Sequence, residues 1–347
     1  MIYFLAAAFL ATFCLTFLLR IYALKRNIMD IPNMRSSHSI PTPRGGGVSI
    51  VVVFLLVLAG YFAEGWLPPT KGILILVASF SVALVGWFDD RNHIPASVRL
   101  TIHLFSSALI VYAFSGLPLF TAFGFEVDFS LAGYVIALFA LVWILNLFNF
   151  MDGIDGIASS ETITTTVVAG LILYFVFGFA QAAYLHFLLA ASVMGFLVWN
   201  FPPAKIFMGD AASGFLGLTH GMLILYTTHL DPTMLWVWLI LLAVFISDAS
   251  VTLFRRVARG EKAHVAHRSH AYQWASRMTG SYPKLTGSHT KVTLAVIAIN
   301  LVWLGPLAYL TATTKIDGAL ATIIAYIPLI ILAIKLKAGI AEDSTSN

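Results

Sequence analysis

Charge is what this sequence has least of. Only 10% of its 347 residues are Asp, Glu, Lys or Arg, while 59% are hydrophobic and the mean hydropathy is +0.90. A soluble globular domain carries about a quarter charged residues. So little charge cannot cover a water-facing surface of this size, which excludes an ordinary soluble protein and makes the bilayer the main solvent. Cysteine is nearly missing too. Cys14 stands alone inside an apolar run, so no internal disulfide can form and the residue reads as a small core hydrophobe. The first apolar stretch, residues 1–19, has no basic segment before it and no small-residue cleavage site after it, and reads as a retained anchor. There is no internal repeat and no inserted soluble domain, so residues 1–347 are expected to form a single integral membrane domain.

What is present is a series of long apolar runs. A membrane helix needs roughly 20 mostly apolar residues. Candidate spans fall near 1–20, 46–64, 71–88, 99–116, 131–149, 162–179, 183–199, 213–229, 233–254, 291–311 and 317–335. This predicts an all-α polytopic membrane protein. The polar loops lie near 20–45, 88–98, 150–161, 200–212 and 255–290. Of the 20 Lys and Arg, all but Lys71 and Lys315 fall in the odd-numbered loops or the C-terminal tail. The positive-inside rule places that side in the cytoplasm. With its polar chemistry on one face, the chain reads as an enzyme. The alternative, a polytopic transporter of lipid or lipid-linked sugar, would need charged groups near mid-span. The span centres hold no Lys, Arg or Glu, and His220 is the clearest polar exception.

Acids cluster in the cytoplasmic loops. Asp89 and Asp90 are adjacent at a membrane edge, where their repulsion invites a cation. Magnesium, which takes one or two carboxylates plus substrate phosphates, suits such hard oxygens. Asn146, Asn149, Asp152 and Asp155 repeat a three-residue spacing, which puts Asp152 and Asp155 on one face if the segment is helical, with Gly153 and Gly156 allowing close approach of a ligand. Asn200 precedes the segment Phe207-Met208-Gly209-Asp210, which opens a span. Asp210 reads either as an N-cap or as a metal ligand, and Phe207 either as core or as a stacking platform for a base.

Two loops are basic. The run His267-Arg268-Ser269-His270 either attracts anionic lipid or holds phosphate oxygens through charge-assisted hydrogen bonds. His264 and His289 stand in the same loop. Thr42 and Arg44 precede Gly45-Gly46-Gly47, a phosphate-binding nest or a flexible entry into the second span.

These motifs, in this order and on one side, resemble those of the polyprenyl-phosphate N-acetylhexosamine-1-phosphate transferases, glycosyltransferase family 4. The segments 30–33, 41–47 and 267–273 look most like the branch that initiates O-antigen synthesis in Gram-negative bacteria. The resemblance covers nearly the whole chain. It implies about 10–11 transmembrane helices around a cytoplasm-facing cleft. It further implies transfer of N-acetylhexosamine-1-phosphate (N-acetylglucosamine, N-acetylfucosamine or similar) from a UDP-sugar to undecaprenyl phosphate, with release of UMP. It also implies magnesium, with manganese as a substitute, an inner-membrane setting and a plausible homodimer; no nucleic-acid partner is expected. By motif, Asp210 would ligate the metal. Asp155 would hydrogen-bond the uracil and Phe207 would stack on it. Asn149, Asp152 and Asn200 would shape the pocket, Asp89 and Asp90 would sit by the lipid phosphate, and His267 and His270 would hold the diphosphate. The sequence departs from many members in following its paired aspartates with Arg91, Asn92 and His93.

Overall fold

The structure, a computed structural model, describes residues 2–32, 37–38, 40–92, 94–261, 267–279 and 286–340. Arg35, Ser36, His93, Lys262, His264 and Lys284, all counted among the loop residues above, lie outside the described residues.

The chain is a multi-pass membrane protein built almost wholly of helices. In order they are α1 (Ile2–Lys25), α2 (Val48–Ala63), α3 (Pro69–Asp89), α4 (Ala96–Phe114), α5 (Ser130–Met151), α6 (Ile157–Phe175) and α7 (Ala180–Asn200). There follow α8 (Asp210–Thr228), α9 (Thr233–Leu241), α10 (Ala243–Ala258), α11 (Ala271–Thr279) and α12 (Thr286–Ala298). A π-helical turn (Ile299–Leu304) then leads into α13 (Gly305–Ala312), and α14 (Gly318–Lys335) closes the bundle. Two short antiparallel pairs complete the structure: β1 (Met29–Asp30) with β2 (Thr42–Pro43), and β3 (Phe120–Ala122) with β4 (Phe125–Val127).

Each of the candidate spans is helical, that at 233–254 as two helices and that at 291–311 through a π-helical turn. Among the described residues, 8 helices are long and apolar enough to cross a membrane, or up to 9 when α9 and α10, bent by 68°, count as one. Helix α2 is short, and α8 lies outside that set for an instructive reason. Every residue of α8 from Ala211 to Thr228 is buried. A helix sheathed by protein has no need to be lipophilic, so α8 carries Thr219, His220, Thr227 and Thr228, whose side chains return hydrogen bonds to carbonyls one turn back. Lipid supplies no hydrophobic drive for helix association, so close contact between small residues must hold the bundle. A Cβ at Gly217 would meet the Leu145 Cα at 2.6 Å, so α5 and α8 touch backbone to backbone.

The loops alternate between two ends, as the charge distribution requires. At one end Tyr61 meets Tyr226 through their hydroxyls at 2.9 Å, the His229 Nε2 donates to the Gly116 carbonyl at 2.9 Å, and Trp236 donates to the Thr121 carbonyl at 2.8 Å. The charged loops meet at the other.

Three sequence-based expectations are corrected. Helix α6 starts at Ile157, five residues earlier than expected, because Gly156 in the left-handed region (φ 73°) turns the chain directly into it. Glu161 is therefore inside a helix and fully buried, bonded to Asn300. Helix α5 ends at Met151, so Asp152 and Asp155 lie in a turn and share no helical face. The long histidine loop contains helix α11.

Candidate active site

The site is assembled from helix ends. At the start of α8 two backbone N–H groups have no helical partner, and both are taken by Asp90. Its Oδ1 accepts from the Asp210 amide at 2.8 Å and its Oδ2 from the Ala211 amide at 3.2 Å. The approach is close because α3 carries Gly86 there; a Cβ would stand 2.6 Å from the Ala211 nitrogen. Arg44 completes the knot. Its Nε lies 2.9 Å from Asp90 Oδ1, and its Nη2 donates to Asp210 Oδ1 at 2.9 Å.

Asp89 and Asp90 take different partners. Asp89 turns away to pair with Arg99 and to accept from the Ile94 amide at 2.9 Å. Consecutive residues at a frayed helix end point to different sides, so two arginines relieve the repulsion that was expected to call for a metal. Arg99 also reaches within 3.8 Å of Asp210 Oδ2, so Asp210 is bracketed by both guanidiniums. Burial pushes the Asp90 carboxyl up to about 6; Arg44 opposes this and Asp210 adds to it. The Asp152 carboxyl is raised well above the usual range by burial and then by Asp210, against Arg44. Burial disfavours the Arg44 charge, yet Asp210, Asp90, Asp30 and Asp152 together raise its pKa.

The turn 152–156 and the loop before α8 lock together. Asp155 accepts from the Ala204 amide at 3.0 Å, and Asn200 accepts from the Gly156 amide at 3.0 Å while donating to the Ile206 carbonyl at 3.1 Å. Asn149 donates to the Ser213 hydroxyl at 3.0 Å. The Phe207 ring meets His38 edge-on at 4.8 Å.

Two cavities open here. The larger, about 740 Å³, is walled mainly by apolar residues of α3, α4 and α5, with Asp89, Arg99, Asn146, Asn149 and Asp210 at one end. The smaller, about 200 Å³, is lined by Asp30, His38, Arg44, Asp152, Asp155, Asn200, Phe207, Gln273 and His289. Asn149 and Asp210 line both.

The sequence-named residues thus divide. Asp89, Asn149, Asp152, Asp155, Asn200, Phe207, Arg44 and Asp210 come together around the cavities, with Asp90 directly behind them. Thr42 does not: its hydroxyl donates to the Ile40 carbonyl at 3.0 Å and the residue is buried in the β1–β2 pair. The triple glycine is neither a nest nor a flexible entry, because Gly46 and Gly47 donate to the Phe207 and Met208 carbonyls at 2.9 and 3.0 Å.

His270 and His267 line neither of these cavities. His270 is buried against Asp248 at 3.2 Å. Asp248 also accepts from the Ala271 and Tyr272 amides at 2.8 and 2.9 Å, capping α11 from α10. The Tyr272 hydroxyl then donates to the Phe150 carbonyl at 3.0 Å. Burial, His270 and Arg256 push His267 down to about 3, and its Nδ1 lies 3.0 Å from the Ser269 hydroxyl. Arg268 offers its carbonyl to Arg277 at 3.1 Å. His267 and His270 therefore stand behind the wall of the site, to which the same segment contributes Gln273.

Sequence reasoning missed Arg99 and His289 as site residues. Arg99 was visible only as one of many loop charges, and His289 only as a member of the histidine loop.

The donor set bears on a metal. Among the described residues no three His, Cys, Asp or Glu side chains converge on one point. The smaller cavity nonetheless sets Asp30, Asp152, Asp155 and Asp210 against Arg44. A polyanion could enter this surplus of acid only with a cation, and one or two carboxylates completed by phosphate oxygens is how magnesium is held. The residues fit such an ion at Asp210.

A model of glycosyl transferase family 4 matches residues 72–228, from α3 to the end of α8. A Bacillus subtilis protein, named a probable undecaprenyl-phosphate N-acetylglucosaminyl 1-phosphate transferase, is 30% identical over 301 residues, covering 81% of this chain and 80% of its own. The undecaprenyl-phosphate alpha-N-acetylglucosaminyl 1-phosphate transferase of Escherichia coli strain K12 is 28% identical over 289 residues, covering 79% of this chain and 76% of its own. Its namesake in Yersinia pestis is 29% identical over 283 residues, covering 78% and 75%. With these relatives and this site, the chain belongs to the polyprenyl-phosphate N-acetylhexosamine-1-phosphate transferase superfamily, glycosyl transferase family 4.

Proposed function

We propose that this protein transfers an N-acetylhexosamine-1-phosphate from a UDP-sugar to undecaprenyl phosphate, releasing UMP, at the cytoplasmic face of a bacterial inner membrane. The product would be the first lipid-linked intermediate of an O-antigen or related envelope polysaccharide. The observation that carries this reading is the shared wall: an apolar cavity and an acidic polar cavity meet at Asn149 and Asp210. A greasy phosphate and a nucleotide diphosphate can each enter its own chamber and touch at that wall. The names of the relatives point the same way.

An oxygen of the lipid phosphate attacks the β-phosphorus of the UDP-sugar. The bond from that phosphorus to the bridging oxygen breaks, and UMP leaves with its electrons. The lipid phosphate is already an anion near neutral pH, so no strong base is needed. This agrees with Asp90, whose carboxylate is committed to Arg44 and the start of α8. Arg99, at the polar end of the larger cavity, holds the lipid phosphate, with Asp89 fixing its guanidinium. Phe207 offers a ring face and Asp155 an acceptor for the base. Magnesium at Asp210 would supply charge neutralisation on the diphosphate.

The test is UMP release by purified protein in detergent with undecaprenyl phosphate, magnesium and a panel of UDP-sugars. Release requiring lipid, sugar nucleotide and magnesium together is the expected result and names the sugar. Folded protein that releases no UMP with any donor would overturn the proposal.

A further inference from the structure

Asp155 is gripped by its whole peptide from one helix. His289, Thr293, Val296 and Asn300 follow one another at spacings of four, three and four, which places them on one face, and all are buried. The Thr293 hydroxyl donates to the Asp155 carbonyl at 2.9 Å. The His289 Nδ1 lies 3.3 Å from Asp155 Oδ1 and 3.5 Å from the Asp155 amide nitrogen. The other ring nitrogen, Nε2, faces the Ser37 carbonyl at 3.0 Å; a carbonyl only accepts, so Nε2 carries the hydrogen.

The same face is anchored deeper in the bundle. Asn300, in the π-helical turn, donates to Glu161 Oε2 at 2.7 Å and to the Thr164 hydroxyl at 2.8 Å, both on α6. A polar seam thus joins α12 and the π-helical turn to α6 and to the turn that begins it. Apolar side chains would hold two helices together as well, because burying a polar pair roughly cancels its own attraction. What a polar seam adds is orientation, and the group it orients lines the smaller cavity.

Resting on the reading of that cavity as the uridine nucleotide pocket, we infer that His289 is a positioning residue for the nucleotide. Its Nδ1 accepts from the Asp155 amide and so fixes the peptide that presents the Asp155 carboxylate, while the Asn300–Glu161 pair fixes the helix that carries His289. The sugar donor feels this seam; the lipid, in the larger cavity, does not.

Two isosteres of different reach test the assignment in the full-length protein. His289→Asn places an amide where Nδ1 stands and keeps the contact with Asp155. His289→Gln places it near Nε2 and keeps only the Ser37 contact. Expected are a UDP-sugar KM within about two-fold of the unaltered protein for Asn and raised about ten-fold for Gln, with the lipid KM unmoved in both. Asn300→Ala approaches from the far end of the seam, without touching the cavity, and should raise the UDP-sugar KM about five-fold with the lipid KM unmoved. Equal KM values for Asn and Gln, or a Gln variant that raises both KM values alike as a merely structural role would, overturns the inference. If the unaltered protein turns over no UDP-sugar, the nucleotide reading fails and this inference with it. Turnover with an unchanged donor KM in every variant overturns the inference alone.

Discussion

The two cavities share a wall and almost nothing else. The larger, about 740 Å³, is framed by Val82, Leu100, Phe139 and Trp143, side chains that lipid could replace without loss. The smaller, about 200 Å³, is framed by Asp30, Asp152, Asp155 and Arg44, groups tolerable near a membrane because Arg44 faces Asp30 and Asp152 while the Ala204 amide and His289 face Asp155. A reaction between a lipid and a nucleotide needs both solvents within reach of one bond. The start of α8 supplies that boundary. The helix runs fully buried through the bundle, and its first residue, Asp210, looks into both chambers.

If the wall is where the chambers meet, breaking it should disable both substrates at once. Asp210→Asn preserves the volume and removes the charge that faces Arg44 and the proposed cation. UMP release should fall at least about a hundred-fold, and extra magnesium should not restore it. Near-normal turnover at saturating magnesium would remove Asp210 from the chemistry and reduce it to the first residue of α8.

Substitutions away from the wall should separate the chambers. Phe207→Ala removes a ring face whose stacking on a base is worth about 1–3 kcal/mol, so the UDP-sugar KM should rise about ten-fold or more with the lipid KM unchanged. Trp143→Ala should do the reverse, raising the lipid KM by about ten-fold through lost apolar contact. Initial rates over a grid of both substrate concentrations measure the two effects together. If each variant moved both KM values equally, the two cavities would act as one pocket and the comparison would fail.

How much of this was legible in the sequence follows from what kind of interaction wrote it. The spans were readable because twenty apolar residues have few other uses in a chain. The loops that would converge were readable because charge obeys a topological rule. The direction of a side chain at a helix end was not. Asp89 and Asp90 are neighbours in sequence, yet one belongs to Arg99 and the other to Arg44 and the α8 amides, a split set by how α3 meets α4 and α8. Asp152 and Asp155 looked helical by spacing, but Gly153 and Gly156 break the helix that the spacing presupposed. Gly45, Gly46 and Gly47 looked like a ligand-binding turn, whereas at least two of the three spend their amides on the loop before α8. Partners far apart in sequence, such as Asp155 with His289 or Arg44 with Asp210, leave no local pattern to read.

The smallest expected effect concerns the layer behind the polar cavity. If His267 and His270 stand behind the wall and do not contact substrate, His267 should matter to stability more than to turnover. Its ring is held near 3, below the ordinary value of 6.5, by burial first and then by His270 and Arg256. Between those two values the unfolded chain binds the proton that the folded one refuses. Stability therefore rises with pH through this window, is fully present above about 6.5, and is lost as the pH falls toward 3. His267→Gln cannot take up that proton, so its unfolding temperature in detergent should depend less on pH below about 6.5 than that of the unaltered protein. Its UMP release at pH 7.5 should stay within about three-fold, because a neutral ring is exchanged for a neutral amide. A large loss of turnover with an unchanged stability profile would move His267 from the supporting layer into the site, and would make the polar chamber larger than its present walls.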